Sequence, residues 1–379
     1  MLRKLILILV VVLIAAMMLP SALFAQEDDV PNVHIVRLGP LPPFEYAQQG
    51  TLDVLDAYGY VDGENINLTF GDAAMDVPTA NLLVEEAIND DADVIITITT
   101  PVSLAAVNAT LEMEDPPIIM FNTVTDPYAS GIAPASCIHP AHVWGSQALP
   151  EFDNVFPLVW ELNPDIQRLG WIYSTSESNA VRSTEIAEPL ATELGLELVI
   201  ESVAATEEVG VAAEALAGQD IDAFFIPTDS TVGAALPSII GVADEEGIPV
   251  FMADSLQVFA GVTMGAGVSY YQEGVDTGRM LVAYLNGEVD IATAMFGKQA
   301  GTLIGVNLDS AGRQDVEVPE ALLEMADFII ENEENTGDVL SLPDVSFEEL
   351  QELDAAYVAE HTCTEEIIAE QQAMLEESE

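Results

Sequence analysis

Asp229 and Asp254 each follow a short apolar run, residues 223–227 and 249–253, and each opens a polar loop, Thr228-Asp229-Ser230-Thr231 and Asp254-Ser255. A carboxylate in a closed cleft is a good partner for an ammonium group, because charge-assisted hydrogen bonds are roughly twice as strong as neutral ones. The complementary chemistry is offered by Thr100-Pro101-Val102-Ser103, which ends another apolar run and opens a helical pattern. Backbone N–H groups exposed at a helix start, with the Thr100 and Ser103 hydroxyls beside them, form an anion site that needs no Arg. Taken singly, each segment is also an ordinary helix N-cap. Taken together they predict a zwitterion site, with a ligand carboxylate held on one unit and its ammonium on the other.

Further polar side chains fall in equivalent loops. Asn122-Thr123-Val124-Thr125-Asp126-Pro127 contributes Asp126, and Ser174-Thr175-Ser176-Glu177-Ser178-Asn179 contributes Ser176, Ser178 and Asn179. Phe44 and Tyr46, beyond the first apolar run, could wall a ligand side chain or simply pack. These loops contain no Lys or Arg. Sequence signatures of catalysis are missing: there is no G-x-G-x-x-G between a strand and a helix, no P-loop with its Lys, and no G-x-S-x-G elbow. Cys137-Ile138-His139-Pro140-Ala141-His142 has metal-ligating residue types, but Pro140 disrupts helical spacing and further ligands are wanting. No metal, cofactor or catalytic set is therefore expected, and the reading is of a binding protein rather than an enzyme.

The elements that must position these loops are legible as a repeating pattern. Residues 34–38, 65–70, 93–99 and 117–121 read as strands, the latter two as near-continuous apolar runs typical of buried parallel strands. Helices are expected over 51–58, 77–89 and 102–113. A second series follows, with strands at 168–173, 196–202, 223–227 and 249–253, and helices at 178–194, 209–217 and 233–246. Residues 153–163 read as a helix and crossover between the two. Two such series make an α/β protein of two wound units, each a mostly parallel sheet flanked by helices. In open sheets of this kind ligands sit beyond the carboxyl ends of the strands, where the loops above lie.

Composition narrows the function. The 379 residues carry 65 Asp and Glu against 8 Lys and Arg, a formal charge of −57, while half are hydrophobic. That charge repels phosphate backbones and anionic lipid headgroups, so nucleic-acid binding is excluded. It suits salty surroundings, and melting temperature is expected to rise between low and molar salt as self-repulsion is screened. Arg3 and Lys4, an apolar run over 5–19 and the exit Ala22-Leu23-Phe24-Ala25 have the layout of a cleaved secretory signal peptide, residues 1–25, implying a periplasmic or extracellular location. In an oxidising compartment Cys137 and Cys363 read as one disulfide, the alternative being two separate thiols. The acidic stretch 331–379 is expected to be helical or partly disordered.

Several segments in this order resemble the ABC-transporter substrate-binding protein family that includes the TrpX-like proteins. They are Tyr58-Gly59-Tyr60-Val61-Asp62-Gly63-Glu64-Asn65, Asp93-Val94-Ile95-Ile96 with Thr100-Pro101, Thr125-Asp126-Pro127, and Tyr173-Ser174-Thr175-Ser176-Glu177-Ser178-Asn179-Ala180. Asp229-Ser230, Gly247-Ile248-Pro249-Val250, Asp254-Ser255, Val306-Asn307-Leu308-Asp309-Ser310-Ala311 and the stretch 318–327 continue the match. The resemblance implies a two-lobed type I periplasmic-binding fold with three hinge crossings. Residues 26–150 with about 270–300 would form lobe 1, about 151–269 with about 301–330 lobe 2, and 331–379 a C-terminal extension. It also implies a monomeric carrier that closes on a small solute and delivers it to an ABC permease. The alternative use of such a fold is a module that reports ligand to a membrane sensor. By position, Thr100 and Ser103 would lie on lobe 1, and Ser176, Ser178, Asn179, Asp229 and Asp254 on lobe 2. The Pro-rich loop after the first strand and the segment 135–145 depart from the family pattern.

Overall fold

The computed structural model describes residues 30–298, 302–337 and 339–378, so the expected signal segment lies outside the described residues. The chain first lays down β1 (Asn32–Arg37), β2 (Asn67–Asp72), β3 (Val94–Ile98), β4 (Ile118–Val124) and β5 (Val143–Gln147). It then builds β6 (Arg168–Ser174), β7 (Glu197–Val203), β8 (Ala223–Ile226), β9 (Val250–Met252) and β10 (Met264–Gly267) in a second sheet. β11 (Gly297–Lys298) returns to pair with β5, and β12 (Leu303–Asn307), β13 (Phe328–Glu331) and β14 (Glu334–Asn335) complete the second sheet. The strand orders are β11-β5-β4-β3-β1-β2 and β14-β13-β12-β10-β9-β8-β6-β7. Pairing is parallel throughout except β10 with β12 and β13 with β14. The result is a two-lobed α/β fold whose chain passes between lobes after β5, after β10 and after β11, and returns to the first lobe after β14 for its last two helices.

The apolar runs behave as parallel strands should. β3 is buried along its whole length, since helices cover both faces of its sheet. The helices Val77–Asn89, Ser178–Leu194 and Val209–Ala217 occupy the expected ranges. The first helix does not: it runs Pro42–Ala57, starting nine residues before the expected 51–58. Pro tolerates a helix's first positions because the N–H it lacks has no partner there anyway, so the Pro-rich stretch opens a helix rather than a loop. Phe44 consequently sits on a helix's first turn. This helix packs against Tyr270–Leu285, backbone to backbone. A Cβ on Gly50 would lie 2.1 Å from the Tyr271 carbonyl oxygen, and one on Gly274 would lie 2.0 Å from that of Ala47. The Thr51 hydroxyl donates to the Gly274 carbonyl at 3.0 Å.

Of the acidic stretch 331–379, Glu331 and Glu334–Asn335 belong to the edge of the second sheet, and helices follow over Phe347–Glu360, opened by a Ser346/Glu349 capping box, and Glu365–Ser378. The stretch contains no Lys or Arg, but the first lobe supplies a cation: Arg279 donates to Asp354 at 2.6 Å and to Asp276 at 2.9 Å, while the Tyr58 hydroxyl donates to Asp354 at 2.7 Å. A disulfide joins Cys137 to Cys363 across 226 residues. Closing so long a loop restricts the unfolded chain. Replacing both cysteines by Ser is therefore expected to lower stability by about 2–4 kcal/mol, read as a lower denaturant midpoint. An unchanged midpoint would mean that packing alone holds the tail. Among the described residues no helix is long and apolar enough to cross a membrane.

Candidate functional site

The carboxyl ends of strands from the two sheets face one another across a cleft. The first lobe contributes Thr99 and Thr100 after β3, Thr123 and Thr125 around the end of β4, and Leu41, Pro43 and Phe44 from the start of the first helix. Thr99 and Thr123 have φ of 97° and 53°. These are positive values that β-branched residues rarely adopt, a strain that clusters at functional sites. The hydroxyls of both are buried without a hydrogen-bond partner. Thr99 occupies the N-cap position of the helix Thr100–Thr110 yet makes no side-chain cap. Uncapped N–H groups and unpartnered hydroxyls thus converge on this wall, a donor set suited to a carboxylate.

The opposite wall carries acceptors. Asp229 lies beyond β8 and caps the helix Ser230–Ala234 by accepting from the Val232 N–H at 2.9 Å, while its other oxygen accepts from Ser174 N–H at 2.5 Å. Burial, and then the neighbouring Glu177 carboxylate, push its pKa up. Glu177 accepts from the N–H groups of Ser230 and Thr231 and so ties this loop to the start of the helix Ser178–Leu194. Asn179 donates through Nδ2 to the Thr228 carbonyl at 3.0 Å and to Glu177 at 3.4 Å. Both partners are oxygens that only accept, which fixes the amide's orientation and leaves a buried, unpartnered Oδ1. Asp254 follows β9 and accepts from Leu256 N–H and Gln257 Nε2, each at 3.0 Å. Burial pushes it up to about 7, against those two hydrogen bonds. Met252 and Gln257 complete this side, and Tyr270, at the start of the helix Tyr270–Leu285 that packs on the first lobe, lines the cleft from the crossing after β10. Among the described residues that line the cleft there is no Lys, Arg or His.

The lobes touch across the cleft. The Thr125 and Thr228 hydroxyls lie 3.2 Å apart, and Arg182 Nε donates to Asp126 Oδ2 at 3.1 Å. Arg182 is partly exposed, so water and salt screen this pair. Arg182→Ala is expected to weaken ligand binding only about two- to fivefold, with the difference shrinking at high salt. A loss of a hundredfold would instead put Arg182 on the ligand.

Of the residues singled out from sequence, Phe44, Thr100, Asn179, Asp229 and Asp254 line the cleft. Ser103 does not: its hydroxyl donates to the Thr99 carbonyl at 2.8 Å and pairs with Thr97, because one turn into the helix its side chain faces the core. Asp126 is likewise committed, to Arg182 and to the N–H groups of Tyr128 and Ala129. Ser176 and Ser178 line a separate groove at the cleft's outer edge with Leu38, Met75 and Leu104. Thr99, Thr123, Gln257 and Tyr270 were not singled out. Thr99 and Thr123 adjoin or lie within the strand-end loops that were, whereas Tyr270 enters only through the crossing after β10.

The sequence profile described as "ABC transporter substrate binding protein" matches residues 39–330. A protein of Clostridioides difficile (strain R20291) named "Tyrosine-binding protein" is 31% identical over 257 residues, 68% of this chain and 73% of that one. Among solved structures, a ligand-free, open substrate binding protein with adhesive properties from Clostridium difficile is 30% identical, with a TM-score of 0.59 over 77% of this chain and 97% of that chain. An ABC domain in complex with L-Trp from Streptococcus pneumonia is 20% identical, with a TM-score of 0.73 over 79% and 99%. A family of substrate-binding proteins binds its ligand without transforming it, which is what strand-end loops rich in hydrogen-bonding groups and poor in nucleophile–base pairs can do. With three-quarters of its length matching that profile and a type I periplasmic fold, the chain belongs to the ABC transporter substrate-binding protein family.

Proposed function

We propose that this protein captures an α-amino acid with an aromatic side chain outside the cytoplasm, by lobe closure, and delivers it as a monomer to the permease of an ABC importer. The observation that carries this reading is the lining of the cleft, with donors on one wall and buried carboxylates without a basic residue on the other. A zwitterion satisfies both walls at once. Its carboxylate would meet Thr99, Thr123 and the N-terminus of the helix Thr100–Thr110. Its ammonium, which has three donors, would meet Asp229 and Asn179 Oδ1. Leu41, Pro43, Phe44, Met252 and Tyr270 offer an apolar wall for the side chain, and the tyrosine-binding relative supports an aromatic one. Closure then follows from differential affinity, since the ligand touches both lobes only when they meet.

Calorimetric titration with tyrosine, phenylalanine and tryptophan, and with tyramine and 3-(4-hydroxyphenyl)propionate, tests this. An intact aromatic amino acid is expected to bind, and loss of either charged group to weaken binding by about a hundredfold or more. If sugars or nucleobases bind and amino acids do not, the reading fails.

A further inference from the structure

Glu273 stands in the first turn of the helix Tyr270–Leu285, 0% exposed, and neither of its carboxylate oxygens has a hydrogen-bond partner. A buried charge is costly unless it is paired. Arg279, further along the same helix, is already shared by Asp276 and Asp354, so three buried carboxylates accompany one guanidinium.

The groups gathered around this turn offer oxygen. Asn122 of β4 donates through Nδ2 to the Glu273 carbonyl at 3.4 Å. A carbonyl only accepts, so the amide's orientation is fixed, and its Oδ1 is left buried and unpartnered. The register of β4 on β5 slips at this point: Phe121 pairs with Gly145 and Val124 with Gln147, so Asn122 and Thr123 together stand opposite Ser146. Bulges of this kind re-aim side chains next to functional sites. On the neighbouring strand β11, Gly297 pairs with Ser146. A Cβ on Gly297 would lie 2.7 Å from the Tyr357 hydroxyl and 3.2 Å from that of Ser146, so glycine lets both buried hydroxyls approach one point. His361 Nε2 lies 3.2 Å from the same point, while its Nδ1 is engaged by the Tyr357 carbonyl at 2.7 Å. The charge of Glu273 reaches the Tyr357 hydroxyl, which brings the helix and the C-terminal extension to the same place.

We propose that Glu273, Asn122 Oδ1 and the Ser146 and Tyr357 hydroxyls hold one alkali-metal cation, buried between the first lobe and the C-terminal extension. An all-oxygen set suits a hard cation. One carboxylate among neutral oxygens matches a single positive charge. Calcium takes six to eight oxygens and magnesium keeps several waters, which so enclosed a place does not supply. Tyr357 comes from the extension, so the cation binds only when the extension is docked and fastens it there. This proposal is independent of the solute that enters the cleft.

The test is the melting temperature of the full protein at pH 8, where an ordinary imidazole is neutral, in sodium, potassium or choline chloride at one ionic strength. Wild type is expected to melt about 5 °C or more higher in an alkali salt than in choline, with a shift that saturates as the alkali ion replaces choline. In Glu273→Gln that difference should vanish. Equal melting temperatures in all three salts overturn the proposal and assign Glu273 a proton instead. A difference that persists in Glu273→Gln also overturns it, since the ion then binds elsewhere. If the Gln variant does not fold, Tyr357→Phe decides. It keeps the ring and removes one oxygen, and should raise the half-saturating alkali concentration about tenfold. An unchanged value overturns the proposal.

Discussion

Asp229→Asn is expected to weaken binding of the proposed amino-acid ligand about thirtyfold to several-thousandfold, because removing one partner of a desolvated charge pair costs about 2–5 kcal/mol. The amide can still accept from the Val232 or Ser174 N–H, so the fold should survive with a modest loss of capping energy, about 1 kcal/mol. The wild type makes a companion prediction in pH. Burial raises both cleft carboxylates, Asp254 to about 7, and Glu177 raises Asp229 further. The ligand-free folded protein therefore binds protons that the unfolded chain, with carboxylates near ~3.9, does not. The stability this contributes is fully present below about pH 4 and is lost as pH rises through the raised values. A bound ammonium favours the charged carboxylates. Affinity should consequently rise between pH 6 and 8, with protons released on binding. Titrations in buffers of different ionisation enthalpy count those protons, and Asp229→Asn should release fewer. A proton count of zero at pH 7 in the wild type would argue against ammonium pairing.

Arg279→Met is expected to cost about 3–5 kcal/mol of stability at neutral pH, the usual result of leaving buried carboxylates without their cation. Arg279 is the shared partner of Asp276 and Asp354, and all three side chains are largely buried, at 13%, 7% and 8% exposure. The guanidinium also lies 5.9 Å from the centre of the Tyr357 ring. Burial already raises the Asp276 pKa, with Arg279 opposing it. Without Arg279 that pKa climbs higher, and the deficit should therefore be largest near pH 8 and shrink toward pH 5, where protonation relieves the unpaired charge. Melting curves of variant and wild type at those two pH values decide the matter. A constant deficit would assign the loss to packing around the side chain's stem. Because Asp354 belongs to the C-terminal extension, the variant should also expose the helix Phe347–Glu360 to limited proteolysis sooner than the wild type.

The two-lobed fold was legible because its central strands are apolar runs that only a covered parallel sheet explains, as β3 and β4 show. The helix Pro42–Ala57 was legible only in its second half, since prolines that open a helix and prolines that make a loop look alike in one dimension. The candidate site followed the same division. Asp229, Asp254, Thr100 and Asn179 could be found because strand ends are predictable. Ser103 faces the core, since which face of a helix meets the cleft is set by packing. Thr99 and Thr123 are not legible as cleft-lining hydroxyls, because their placement comes with positive φ values that only the tertiary structure imposes. The pairing of Asp126 with Arg182 joins residues of different lobes, which composition and spacing do not reveal.

The C-terminal helices meet the first lobe through Tyr58, Arg279, Cys137 and the segment around Thr293 and Met295. They should accordingly ride with that lobe as one body when the cleft opens. This makes the protein a ready optical reporter. A fluorophore at exposed Met374 is anchored to one side of the hinge, and a second at exposed Val211 belongs to the other. Neither residue lies in the cleft, so energy transfer between the two dyes would report ligand occupancy without altering the chemistry that recognises the ligand.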